Sequence, residues 1–189
     1  MTTVRLDWQD PTLREWDCEV LSSEAEHGIV LDRSAFYPGG GGQPPDRGVL
    51  LWQGVQTHIV GTRKGDELYL LPAEGDPLPP PGTAVRGAVE DERRTVLMRT
   101  HSGLHVLCGV VFRDFGALVT GGNMDVAPAP SGSGLLGTAR MDFNLPQVPP
   151  DFKAHVEELV NAEVRTDRQI VDRLLPRDEA MAIPDIIRT

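Results

Sequence analysis

The stretch over residues 97–115 limits the possible folds more than any other part of the chain. On an α-helix, residues three and four apart share a face. Leu97, His101, Leu104, His105, Cys108, Phe112 and Phe115 therefore form one stripe, and Val106, Leu107 and Val110 make the opposite side apolar as well. A helix that is apolar all round is a buried helix. Within it, His101 and His105 present two imidazoles to the same point. An unsatisfied buried polar group costs about 1 to 3 kcal/mol, so the pair either bonds to nearby carbonyls or carboxylates as core histidines or holds a metal. On the residues alone both readings stand.

The pair is not the His-Glu-x-x-His motif of zinc peptidases, because Ser102 occupies the position of the general base. Cys108 lies on the same stripe, but a rise of about 1.5 Å per residue puts it about 10 Å along the axis from His101. Zinc bonds are about 2.0 to 2.3 Å long, so Cys108 reads as core.

Before this helix, residues 1–90 read as short strands at 19–21, 28–31, 49–52, 58–60, 68–71 and 84–89, separated by Gly, Pro, Asp or Lys-Gly turns. That spacing predicts a small antiparallel barrel. Residues 72–82, with Pro79, Pro80 and Pro81, form a stiff loop within it. Asp91 is the expected N-cap of the histidine helix and Gly116 its C′ residue, with a break near Arg99. Strands follow at 117–120 and 139–143, with a flexible hairpin tip at 128–137. An amphipathic helix opens at Pro149-Pro150-Asp151, then come a strand over 170–174 and a short helix over 177–183. The reading is an α+β chain, with a barrel over 1–90 and an α/β sandwich over 91–189.

The formal charge of −10 argues against generic nucleic-acid affinity, which requires Lys and Arg to neutralise phosphates. A nucleic-acid partner would need a local basic face. Only Cys18 and Cys108 are cysteines, too few for a disulfide framework, which points to a reducing compartment and places the chain in the cytoplasm. No apolar run is long enough to span a bilayer, so no membrane partner is expected. Between two strands lies Phe36-Tyr37-Pro38-Gly39-Gly40-Gly41-Gly42-Gln43-Pro44. Four glycines allow positive φ and close approach of a ligand, although neither a dinucleotide fingerprint nor a P-loop is present.

That glycine stretch is followed by Glu92-Arg93-Arg94, Arg99-Thr100-His101 through His105, Gly116-Ala117-Leu118-Val119-Thr120-Gly121-Gly122, Ala139-Arg140-Met141-Asp142-Phe143 and Leu175-Pro176-Arg177-Asp178-Glu179-Ala180. In this order, along nearly the whole chain, the blocks resemble the AlaX family of free-standing alanyl-tRNA editing proteins, and within it the medium-length class with a glycine-rich motif on an N-terminal barrel. The resemblance implies a fold like the editing domains of alanyl- and threonyl-tRNA synthetases. It also implies hydrolysis of tRNA(Ala) mischarged with serine, and in some members with glycine, because a second site must destroy what binding alone cannot reject.

The family binds zinc through His-x-x-x-His and a later Cys-x-x-x-His. His101 and His105 match the first pair, and the chain stops in the stretch that precedes the second. That leaves a half-ligated zinc, in a fragment or a shortened relative, and implies an exposed sheet edge. Leu104 stands where the synthetase editing domain usually has threonine. Substrate contacts are expected from Gly39, Gly40, Gly41, Gly42 and Gln43, from Thr120, and from Asn123, which replaces a frequent glutamine. Arg93, Arg94, Arg99, Arg113 and Arg140 would meet the tRNA phosphates. Two rival readings remain: a catalytically inactive tRNA-binding or regulatory relative, and a metal-dependent hydrolase of small esters.

Overall fold

A computed structural model describes residues 3–171 and 173–183. Period-two alternation builds its first half. In β2 (Glu15–Glu24), Trp16, Cys18 and Val20 point inward between exposed neighbours, as the pleat of a half-buried strand requires. The short β1 (Val4–Arg5) pairs in parallel with β4 (Arg33–Ser34), and α1 (Leu6–Gln9) follows β1 directly. The strands β2, β3 (Gly28–Leu31), β5 (Gly48–Trp52), β6 (Val55–Lys64), β7 (Leu68–Pro72) and β8 (Ala84–Val89) close a barrel in the order β2-β3-β7-β6-β5-β8. Closure removes the sheet edges. Ile29, Leu31, Leu50, Ile59 and Leu70 fill the interior with Phe36, whose ring meets Trp16 edge to face at 5.1 Å. The six strands contain the six expected from the sequence, while β1 and β4 were not anticipated.

The second half begins with α2 (Asp91–Phe115), a continuous helix of 25 residues with no break at Arg99. Glu90, not Asp91, is its N-cap, and Gly116 ends it at φ 64°, donating its N–H to the Phe112 carbonyl. β9 (Val119–Pro128) and β10 (Leu135–Phe143) form an antiparallel hairpin against which α2 packs. On another side α2 meets α3 (Phe152–Arg165), and α4 (Arg177–Ala182) lies near the end. The expected strand over 170–174 is not formed by the described Ile170, Val171, Arg173 and Leu174; Asp172, and residues 184–189 of the C-terminal match, lie outside the described residues.

The expectation of a helix buried on every side is corrected. Two strands and one helix cover only part of the circumference of α2. Gly103 and His105 are therefore exposed, and Leu104, Val106 and Leu107 are half-buried. Among the described residues no helix is long and apolar enough to cross a membrane.

Candidate functional site

Phe36, fully buried in the barrel, anchors the start of the glycine stretch. The Tyr37 N–H donates to the Asp46 carboxylate at 2.7 Å and the Asp46 N–H returns to the Tyr37 carbonyl at 3.0 Å, closing residues 38–45 into a loop. Asp46 is 1% exposed and Arg94 2%. The Arg94 guanidinium grips the Asp46 carboxylate through Nε and Nη2 and also donates to the Ala35 and Pro11 carbonyls. A buried ion pair stands only when its remaining donors are satisfied, and these contacts satisfy them. The loop base is thereby locked to the first turn of α2.

At the loop tip, Gly40 and Gln43 exchange two backbone hydrogen bonds of 3.0 Å. Between them Gly41 and Gly42 have φ of 56° and 77°, the pattern of a type I′ turn, which glycine adopts without a steric penalty. The Gly42 carbonyl accepts the Met124 N–H at 2.9 Å. A Cβ at Gly42 would lie 2.7 Å from the Gly122 carbonyl oxygen, so the loop lies directly on β9.

His101 and His105 project from α2 beside this tip. Their rings stack at 4.9 Å, 9° from parallel. The Nδ1 of His101 is 2.8 Å from the Gln43 Oε1, within hydrogen-bond distance. Burial, helped by the nearby His105, pulls the His101 pKa down and favours the neutral imidazole. A pocket of about 400 Å³ opens here, with His101, Leu104, His105 and Cys108 on the helix side, Gly41 and Gly42 on the loop side, and Val119, Thr120 and Met141 on the sheet side. Burial raises the Cys108 thiol, which disfavours a thiolate. Among the described residues no third His, Cys, Asp or Glu joins the two histidines in a metal-binding group.

The structure thus brings His101, His105, Gly41, Gly42 and Thr120 to one pocket. Gly39 and Gly40 sit in the loop outside its lining, Gln43 lies behind His101, and Asn123 is exposed on β9 opposite Arg140.

The five arginines do not form one basic face, and this part of the expectation is corrected. Arg93 and Arg94 are buried because α2 begins beneath the loop. Arg94 is consumed by Asp46, and Arg93 lies 3.5 Å from both the Pro45 carbonyl and the Asp125 carboxylate. Arg113 is held by Asp114 and Glu163, and Arg140 by Asp142. Arg99 is exposed with no ion pair to a described residue, two positions before His101 and so on the opposite side of the helix.

Elsewhere, His155 packs edge-on to Phe115 at the far end of α2, and His58 bonds to Asp76 on the barrel surface. The Asp46–Arg94 lock escaped the sequence reading, since no local pattern links positions 48 residues apart. Leu104, Val119 and Met141 as pocket lining carried only a generic apolar signal.

No family model matches the chain. It is 36% identical over 183 residues to the alanine–tRNA ligase of Pyrobaculum neutrophilum and 34% identical over 179 residues to that of Pyrococcus furiosus, in each case across at least 94% of this chain. A match to the Korarchaeum cryptofilum alanine–tRNA ligase reaches 42% identity over 117 residues, or 62% of this chain. Nearly end to end, then, the chain is similar to one segment of alanine–tRNA ligases, and it spans only about 19% of the length of the first two.

Proposed function

We propose that this chain is an AlaX-type editing hydrolase that deacylates tRNA(Ala) mischarged with serine, with glycine as a second substrate amino acid. The observation that carries the reading is the convergence of the glycine turn and the two histidines on one pocket, in a chain similar to a segment of alanine–tRNA ligases. The reaction breaks the ester C–O bond with water and returns the free amino acid and the 3′-terminal hydroxyl.

The residues fit zinc as half of a four-coordinate set. His101 turns its Nδ1 to Gln43, which leaves its Nε2 for a ligand, and the His105 ring stacks beside it on the same helix face; imidazoles are good zinc ligands. His101 and His105 would hold the zinc, which would supply Lewis acidity to the hydrolysis. The chain's own groups do the rest. Gly41 and Gly42 present bare backbone, so a terminal adenosine can approach closely. Leu104, Val119 and Met141 keep the wall dry, and the Thr120 hydroxyl offers a hydrogen bond to the substrate.

The test is deacylation of seryl-tRNA(Ala) together with zinc content, for the native sequence, His101→Ala and His105→Ala. Both substitutions should remove bound zinc and turnover. If both variants keep full metal and full activity, His101 and His105 are core histidines and not the zinc site; a native chain that leaves seryl-tRNA(Ala) intact overturns the reading. The two-histidine donor set favours one second reading, an inactive tRNA-binding relative, for which the native chain would bind tRNA(Ala) without deacylating it.

A further inference from the structure

Gln43 was expected to touch substrate, yet it is 7% exposed and is absent from the pocket lining. Its side chain ends on His101, with Oε1 at 2.8 Å from Nδ1. We infer that Gln43 is a positioning residue that fixes the tautomer of His101, and that the four-glycine turn is the rigid arm that delivers it. The inference deepens the editing reading and rests on it for its functional meaning.

An imidazole has one proton for two nitrogens, and an acceptor on one side decides where that proton sits. An amide oxygen at Nδ1 holds the proton there and leaves the Nε2 lone pair for the pocket. Without that acceptor, the proton is free to move to Nε2, which then offers the pocket a donor in place of a ligand atom. Partners of this kind behind metal-binding histidines orient the ring and raise its basicity.

The arm is held at both ends. At its base, Tyr37 and Asp46 bond to each other and Arg94 pins Asp46 to α2. At its tip, the Gly42 carbonyl takes the Met124 N–H. The positive φ of Gly41 and Gly42 brings Gln43 back opposite Gly40, the two-residue reversal that aims its side chain at His101. Gly41 also passes close to the ring, since a Cβ there would sit 3.7 Å from the His101 Cε1. His105 supplies an internal contrast, because its Nδ1 has no hydrogen-bond acceptor among the described residues.

Long-range 1H–15N correlation spectra of the zinc-free chain at pH 8 read the tautomers directly. His101 should carry its proton on Nδ1 in a single form, while His105 exchanges between both. Gln43→Met, similar in length but without an acceptor, should shift His101 toward the Nε2-protonated form and weaken zinc binding about 10- to 100-fold. Gln43→Glu, which restores an acceptor oxygen, should restore both. An Nε2-protonated His101 in the native chain overturns the inference, even if no variant folds. So does a Gln43→Met chain with unchanged tautomer and zinc affinity but slower deacylation, which would make Gln43 a substrate contact. Failure of the editing reading looks different: the native chain would not hydrolyse seryl-tRNA(Ala), whatever its tautomer spectrum shows.

Discussion

The barrel and the half that follows it bury their apolar residues very differently. In the barrel, a closed ladder surrounds Ile29, Leu31, Phe36, Leu50, Ile59 and Leu70, all essentially inaccessible. In the second half, one core cluster is Val111 of α2 with Ala117 and Val156 and half-buried partners, while Leu136, Val148, Val164 and Leu174 face solvent. A two-stranded sheet has two open edges and one helix-covered face, so it cannot enclose a comparable interior. The pocket sits where the two halves meet, and Gly41 and Gly42 of the loop tied to the barrel form one of its walls. The barrel therefore positions the site, and the second half supplies the histidines and the sheet-side lining.

The most damaging change should fall on the lock between the halves. Asp46→Ala leaves the Arg94 guanidinium buried without its carboxylate, and removing one partner of a buried ion pair costs about 3 to 5 kcal/mol. Urea unfolding should show that loss, along with exposure of the loop to protease. A cost below about 1 kcal/mol would mean the halves are not joined through this pair. Next in size, Leu50→Ala should cost about 2 to 5 kcal/mol, whereas Val164→Ala, at a site 58% exposed, should stay within about 0.5 kcal/mol. Native-state hydrogen exchange sharpens the contrast. Amides of β2, β5 and β6 should open only with global unfolding, and those of β9, β10 and α3 at lower free energy. Equal protection in both halves would remove the distinction.

How legible each half was follows from the same contrast. The barrel strands are located by short apolar runs between turn residues, but the run at 19–21 marks only the middle of β2, whose period-two alternation at Trp16, Cys18 and Val20 maps directly onto burial. The stop of α2 at Gly116 was readable because a left-handed C′ residue is a local requirement. Residues 170–174 look like a strand by composition, but a strand exists only through its neighbour, and Ile170, Val171 and Leu174 stand exposed. Arg93 and Arg94 misled for the converse reason: arginine is a surface residue by default, and only tertiary structure places a carboxylate and two carbonyls around Arg94. At the site, the helical spacing of His101 and His105 was visible in sequence. That Gln43 reaches His101 was not, because it depends on the path of the turn.

The loop gives a subtler comparison between a glycine at the join and one at a free hairpin tip. Gly42 and Gly132 both have φ of 77°, so alanine at either meets the same left-handed backbone cost of about 1 to 2 kcal/mol. Gly132 has open space around it, while Gly42 faces the Gly122 carbonyl. Gly42→Ala should therefore destabilise clearly more than Gly132→Ala and should also enlarge or distort the pocket. Equal thermal shifts for the two would show that the loop yields without cost.

The smallest effect concerns how an acidic chain would hold RNA. Arg113 and Arg140 are already paired with carboxylates on the second half, so neither brings an unneutralised charge to a phosphate. On the barrel side, Lys64 is exposed, has no ion pair to a described residue, and places its Nζ 3.0 Å from where a Gly40 Cβ would be. If the chain holds tRNA as proposed, this cation beside the glycine turn is the one expected to meet the backbone of the 3′ end. Each phosphate contact contributes about one unit to the slope of log K against log salt. Lys64→Ala should weaken tRNA(Ala) binding and flatten that slope by about one unit, while Arg140→Ala should leave the slope unchanged. Fluorescence anisotropy across a salt series measures both. If Arg140→Ala flattens the slope and Lys64→Ala does not, the RNA enters over the thinly packed half, and the barrel's role ends at positioning the site.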